Sequence, residues 1–404
     1  MQFSDIIAQS AIKQQLAELV QHNRLSHALL FIGKEGCGSL PLAIAFAQYL
    51  TCEKVSPGRK PVQAGPSLFG EAEPVAAGPA PVPAEACGQC PSCLKAAQLV
   101  HPDIHFSYPT VTKKPGEKPV ATDFIVEWRE FIKLNPYGNL FEWIEAIKEK
   151  ENSQGKITAE ECNDIIRKLS LKSFESEYKV LVMWMPENLG SEGNKLLKLI
   201  EEPPPNTLFI LVTENESHVL QTIVSRCQLI KIPSLSIADV EAALIQRNKT
   251  DVNVARQVAL VSEGNYHEAL QLVQHADEDW QALLREWLNA ILKTGPLAQT
   301  KWVDDVSRLG REKQKQFLRY FNHLLGQALR LRVMGDVPGL GEAEKDFASR
   351  INKIAGIEQQ EAILEEIDKA AYYIERNANA KILFLALTIK LYHIIQDKIV
   401  FLTE

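Results

Sequence analysis

No apolar run in this 404-residue chain is long enough to cross a bilayer. The most apolar stretch, Ile382–Ile389, is closed in by Lys381 and Lys390. It falls short of the roughly 18 residues a spanning helix needs. The N-terminus, MQFSDIIAQSAIKQQL, has no basic stretch leading into an apolar core. No secretory signal is therefore expected, and a cytoplasmic location follows. Positive charge is not in excess: 44 Lys and Arg face 51 Asp and Glu, a net charge of −7. That argues against a strongly basic nucleic-acid binder and leaves only local contacts. Cysteine is sparse, with seven residues, too few for a disulfide scaffold of this length. Without a secretion signal, clustered cysteines point to metal. What is present, 46% hydrophobic and 24% charged residues, is ordinary for globular chains and sufficient for two or three domains.

Residues 4–22 carry apolar positions at three- and four-residue spacing and are predicted helical. His27–Ile32 is a short apolar run that ends at Gly33 and reads as a buried strand. The segment Gly33-Lys34-Glu35-Gly36-Cys37-Gly38-Ser39 is a glycine loop, and residues 40–51 read as the helix after it. Strand, glycine loop and helix open a phosphate-loop type of nucleotide-binding α/β unit. Residues 55–86 hold seven Pro and four Gly with few large apolar side chains, the composition of a disordered insertion. Four further runs, Ile104–Tyr108, Lys179–Met185, Thr207–Thr213 and Cys227–Ile232, read as strands of a buried parallel sheet. Helical pattern lies between them at Glu161–Lys172 and Asn194–Glu201, so the expectation is an α/β layer fold. After Pro233 strand signals stop. Ser236 and Asp239 are placed to cap a helix, short helices run to about 292, and 293–404 reads as an all-α bundle.

The glycine loop is degenerate. A working phosphate loop is Gly-x-x-x-x-Gly-Lys-[Ser/Thr], in which Lys reaches the β/γ oxygens and the hydroxyl holds Mg²⁺. Here Gly33 and Gly38 fit, but Ser39 stands for the Lys and Leu40 for the Ser/Thr. A leucine cannot ligate magnesium, and Lys34 lies at the wrong end of the loop. The second requirement, an acidic pair at the end of a core strand, is also unmet in Val182–Glu187. Glu187 follows Pro186 and is expected to be solvated. ATP hydrolysis by this chain is therefore not expected, and Gly33, Gly36, Gly38, Ser39 and Leu40 are read as an inherited, silent loop.

Cys87-x2-Cys90-x2-Cys93 packs three thiols into seven residues, and Cys52 lies upstream across the insertion. Four thiolates suit a tetrahedral structural zinc site. An iron–sulfur cluster is the alternative, as is Cys52 as a plain core thiol. Cys37 and Cys162 lie outside the cluster. Ser225-Arg226-Cys227 sits just before the last strand, at the edge of the α/β layer. Asn194–Pro204 reads by itself as an amphipathic helix stopped by prolines.

Taken together, five segments resemble the AAA+ clamp-loader family of bacterial replication, and within it the non-hydrolysing delta-prime type associated with DNA polymerase III. They are His27–Phe31, the Cys87–Cys93 knuckle, His101-Pro102-Asp103, Asn194–Pro204 and Ser225-Arg226-Cys227. Asn377-Ala378-Asn379-Ala380 is similar to that family's collar signature. Residues 55–86 and 110–160 depart from the pattern, so no family role is carried onto them. The resemblance implies an AAA+ (P-loop NTPase-like) domain over 1–233 with a zinc knuckle within 52–93, a helical lid over 234–292 and a helical collar over 293–404. It also implies that Cys52, Cys87, Cys90 and Cys93 hold structural zinc. Arg226, flanked by Ser225 and Cys227, would be an arginine finger acting in trans on a neighbour's ATP. A lid sensor arginine would fall near Gly264–Leu270, where His267 stands instead. The implied partners are the delta and tau/gamma-type ATPase subunits, with the sliding clamp and primed DNA reached through the complex, and no membrane. Any nucleotidyltransferase activity would belong to the DNA-directed DNA polymerase complex as a whole. Two alternatives remain: an autonomous AAA+ ATPase with a divergent nucleotide site, and a zinc-dependent nucleic-acid-binding module.

Overall fold

The computed structural model describes residues 1–404 except 57–82, 113–115, 117, 149–153, 275–279, 336–341, 377 and 399–404. The chain divides into two compact units, 1–273 and 274–404.

The first unit is built on five parallel strands: β1 (Ala28–Ile32), β2 (Ile104–Ser107), β3 (Lys179–Trp184), β4 (Thr207–Thr213) and β5 (Gln228–Lys231). Their order across the sheet is β2-β3-β4-β1-β5. All five coincide with the apolar runs of the sequence. β3 and β4 are buried at every residue, because both faces of a parallel sheet are covered by helices. The two-residue period assigns each face. Leu29, Phe31, Val180, Val182, Leu208, Ile210 and Val212 enter one core; Ala28, Leu30, Leu181, Met183, Phe209 and Leu211 enter the other.

The helices of this unit are α1 (Ser10–Gln21), α2 (Ser39–Thr51), α3 (Pro91–Ala97), α4 (Ile125–Leu134), α5 (Leu140–Ile147), α6 (Ala159–Ser170), α7 (Leu197–Glu201), α8 (Gln221–Val224), α9 (Ile237–Asn248), α10 (Val252–Val261) and α11 (Tyr266–Gln274). Residues 4–22 do not form one helix. A 3₁₀ turn covers Phe3–Asp5, and Ala8 and Gln9 take left-handed φ of 48° and 57°. Tertiary hydrogen bonds pull this segment out of helix: Ile7 N donates to Tyr137 Oη, and Gln9 Nε2 donates to Cys37 O and Pro233 O. The expected cap at α9 is present as a reciprocal Ser236–Asp239 box. The stretch 110–160 contributes α4 and α5. Their Trp128, Phe131 and Trp143 pack around Tyr108 and Trp184, with Tyr108 stacked on Trp128 at 4.0 Å between ring centroids. The expected disordered insertion lies outside the described residues over 57–82. Its flanks are anchored, since Val55 and Ala86 are buried and Pro83 O accepts from Tyr49 Oη at 2.7 Å.

The second unit is all helical: α12 (Trp280–Asn289), continued by a π-helical turn, Ala290–Thr294, then α13 (Pro296–Ser307), α14 (Arg311–Met334), α15 (Glu342–Ile354), α16 (Ile357–Glu375) and α17 (Ala380–Gln396). Its core centres on Trp287, stacked on Trp302 with centroids 4.5 Å apart. The buried indole Nε1 of Trp287 donates to Thr388 Oγ1 at 2.9 Å. Asn377 of the collar signature lies outside the described residues, and Asn379 caps α17 by accepting from Ile382 N.

Candidate functional site

The glycine loop follows β1 and leads into α2, as the sequence predicts. Gly36 (φ 72°) and Gly38 (φ 92°) occupy the left-handed region that glycine alone enters freely. Both are closely covered. A Cβ on Gly36 would fall 1.9 Å from Asn265 Oδ1, and one on Gly38 would fall 3.0 Å from the Tyr137 ring. Tyr266 N donates to Gly36 O at 3.3 Å, and Asn265 Nδ2 donates to Glu35 Oε1 at 3.2 Å. Tyr137 Oη accepts from Ile7 N at 2.9 Å, and its ring meets Tyr266 edge-on at 5.0 Å. Burial pushes its phenol up to about 12, so it stays neutral. The cavity left at the loop is about 20 Å³, bordered by Lys34, Ser39, Leu40, Trp184, Thr213 and Glu214. That is room for a water molecule, not for a triphosphate.

The strand-end positions where hydrolysis would need carboxylates are taken by Trp184 and Met185, both buried. Glu187 corrects the sequence reading, because it is turned inward instead of solvated. Its Oε1 accepts from Thr213 Oγ1 at 2.5 Å and from Glu214 N at 3.2 Å, while Oε2 is buried with no hydrogen-bond partner among the described residues. Burial holds this carboxyl above its usual range. It serves as a strut between the ends of β3 and β4. His267, in the lid position, is buried beside Gln271, with Nε2 3.6 Å from Glu142 Oε1.

The four predicted cysteines come together. Sγ atoms of Cys52, Cys87, Cys90 and Cys93 all lie within 4.8 Å of one another, and Cys87 and Cys93 are 4.0 Å apart. Zn–S bonds of about 2.3 Å in a tetrahedron require sulfurs about 3.8 Å apart, so the set has the right size. Cys52 ends α2, and Cys90 caps the short helix α3 that carries Cys93. Backbone N–H groups of Cys87, Cys90 and Cys93 donate to the sulfurs of Cys52, Cys87 and Cys90. Burial raises the thiols of Cys90 and Cys93. At Cys87, N–H donors from Gln89 and Cys90 outweigh it and bring the pKa down to about 6, while Cys93 stays raised by burial and by its bond to Cys90. A divalent cation is what would let all four ionise together. Cys37 and Cys162 are buried core thiols, pushed up to about 11 by burial.

His101-Pro102-Asp103 ties this knuckle to the sheet. His101 Nε2 pairs with Ser92 Oγ at 2.8 Å, next to Cys93. Asp103, buried at the start of β2, accepts from the backbone N–H groups of Phe174, Glu175 and Ser176 at 2.6–2.8 Å. Three donors on one carboxylate fix the loop that leads into β3.

Arg226 lies between α8 and β5, near the N-terminal end of the sheet. The glycine loop lies at the C-terminal end. In the β1–β5 register Leu29 pairs with Gln228 and Ile32 with Lys231, so six residues separate the level of Arg226 from Gly33. At about 3.3 Å per residue this is about 20 Å, too far for Arg226 to serve its own loop. Its guanidinium is half-exposed. Nε donates to Glu201 Oε1 at 2.6 Å and Nη1 to Thr222 O at 2.6 Å and Ser225 Oγ at 3.2 Å, and Nη2 also pairs with Glu201. Burial raises the thiol of Cys227 to about 11, and it packs against the core that holds Ile200 and Ile223. Sequence reasoning missed Tyr137, Asn265 and Glu201. Each acts through a contact between segments apart in the sequence, which no local pattern reveals.

A parallel sheet in this order, with a glycine loop after β1 and a helical region after β5, defines an AAA+ module, here one whose cleft at the loop is narrow. The profile of the family described as "DNA polymerase III, delta subunit" matches residues 8–65 and 77–236, and the chain belongs to that family. It is 25% identical over 266 residues to DNA polymerase III subunit delta' of Bacillus subtilis, covering 65% of this chain and 59% of that protein. It is 26% identical over 341 residues to the Escherichia coli delta' subunit, covering 81% and 78%. It is 22% identical over 280 residues to DNA polymerase III subunit gamma of Buchnera aphidicola, covering 68% and 58%. The chain thus spans about three fifths of the length of the B. subtilis and B. aphidicola relatives.

Proposed function

We propose that this chain is a delta-prime-like stator of the DNA polymerase III clamp loader. It hydrolyses no ATP and supplies Arg226 to the ATP of a neighbouring subunit. The reading keeps three parts: an AAA+ domain over 1–233, a lid over 234–292 and a collar over 293–404. Its partners are a delta subunit and tau/gamma-type ATPases, and the assembled ring places the sliding clamp on primed DNA during replication in the cytoplasm. Cys52, Cys87, Cys90 and Cys93 hold structural zinc, which supplies a fixed cross-link between the end of α2 and the knuckle. Nucleotidyltransferase activity resides in the polymerase complex that the loader serves.

One observation carries the reading: Asn265 and Tyr137 crowd Gly36 and Gly38 of the chain's own loop, while a guanidinium stands partly exposed at the opposite end of the sheet. An arginine on one subunit can stabilise charge developing on a γ-phosphate held by another. Association through the C-terminal helices is supported by an apolar stripe on α17. Ile382, Leu385, Ile389 and Tyr392 are spaced three and four residues apart and are 68%, 40%, 47% and 39% exposed. Such a stripe is the pattern of a helix that packs against another chain. The test is reconstitution of the loader with an Arg226→Ala chain. Loss of DNA-stimulated ATPase by about 10³-fold at the neighbouring site is expected. Undiminished turnover would overturn the assignment.

A further inference from the structure

We infer that Glu201 is a positioning residue for Arg226, fixing the guanidinium in the orientation it presents to the neighbouring subunit. The inference rests on the reading of Arg226 as a finger and adds to it the residue that makes the finger rigid.

A guanidinium has five N–H donors. Four contacts engage it within the chain: Nε and Nη2 on Glu201 Oε1, and Nη1 on Thr222 O and Ser225 Oγ. Among the described residues nothing accepts from the second Nη2 N–H, which is left for an acceptor from outside. The side edge of the fork is thus held by a carboxylate and the near terminal nitrogen by a helix carbonyl. The supports on both sides are fixed. Glu201 is the last residue of α7, whose Ile200 is buried, and Thr222 lies in α8 beside buried Ile223. Both anchors enter the same core beneath the sheet.

Stability does not explain the pair. The side chains are 45% and 34% exposed, and ion pairs that open to water contribute little to folding while restricting two long side chains. Restriction is useful where a cation must already be aimed when a phosphate arrives, since ordering it then would subtract from the stabilisation it gives. Glu202, one residue on, has no such bond among the described residues and serves as the control.

The experiment compares Glu201→Ala, Glu201→Gln, Glu202→Ala and Arg226→Ala chains. Each full-length chain is first labelled with ¹⁵N-arginine to follow the Arg226 Nε–Hε resonance, then reconstituted into the loader for DNA-stimulated ATPase. Glu201→Ala is expected to lose the slowly exchanging Nε–Hε signal and to lower kcat by about 3- to 10-fold, the effect of freeing one rotamer-rich side chain, with KM for ATP unchanged. Glu201→Gln keeps an acceptor oxygen without the charge and is expected to fall between. Glu202→Ala is expected to match the parent. A Glu201→Ala loader with the parent's kcat, or a higher one, would overturn the inference while Arg226→Ala still abolished stimulation. If Arg226→Ala itself changed nothing, the finger reading would fail instead.

Discussion

Replacing Tyr137 with Ala removes the side chain that closes the glycine loop. The ring is buried against Gly38 and Tyr266, and its hydroxyl is the acceptor for the buried Ile7 N–H. Truncating a buried aromatic side chain costs about 3–5 kcal/mol through lost transfer energy and the cavity left behind. Orphaning the Ile7 N–H contributes about 1–3 kcal/mol, which overlaps with the first figure because both act at one site. For a unit of this size each kcal/mol lowers the melting temperature by about 2–4 °C. Tyr137→Ala should therefore melt about 6–20 °C below the parent. Tyr137→Phe keeps the ring and loses only the acceptor, so it should melt about 2–12 °C below it. Thermal unfolding followed by circular dichroism reads both. If Tyr137→Ala melted with the parent, the ring would not be a packed element of the pocket. If Tyr137→Phe matched Tyr137→Ala, the hydrogen bond rather than the filled volume would close it.

Metal analysis of the purified chain should give one zinc per molecule. Stripping it with a chelator should lower the melting temperature by about 8–16 °C, since a metal at a thousand times its Kd stabilises the folded state by about 4 kcal/mol. No zinc, or no shift on removal, would refute a structural site. His105 tests acid sensitivity. Burial, helped by Lys168, depresses its pKa to about 4. Unfolded histidine titrates near 6.5, so the unfolded chain binds the extra proton first. The stabilisation is complete above about pH 6.5 and is lost as pH falls toward 4, about 3 kcal/mol in all. The drop in urea midpoint from pH 7.5 to 5 should be smaller in His105→Gln than in the parent, the remainder coming from groups such as His323, which burial depresses in the same way; an equal drop in the two chains would contradict the assignment.

The sheet was legible because its central strands are buried on both faces, which makes them apolar runs bounded by turn residues, as in Thr207–Thr213 and Lys179–Trp184. The departure of the glycine loop from a phosphate loop was legible for a chemical reason: Leu40 and Ser39 cannot replace a magnesium ligand and an ammonium. The cysteine cluster was legible by spacing. The features that were not legible depend on groups far apart in sequence. Tyr137 reaches Ile7 across 130 residues, and Asp103 holds N–H groups more than 70 residues on. Glu187 looked solvated beside a proline because nothing local indicates that Thr213 Oγ1 would draw it inward. The break at Ala8 and Gln9 likewise comes from tertiary hydrogen bonds, which override a helical pattern that is correct locally.

The most direct test of the account is ATP turnover by the purified chain alone, with magnesium and primed DNA present. A pocket of about 20 Å³ with leucine at the magnesium-ligand position of the loop and serine at the lysine position predicts phosphate release no faster than the buffer blank. Sustained release that scaled with the concentration of this chain, and survived in an Arg226→Ala preparation, would contradict it.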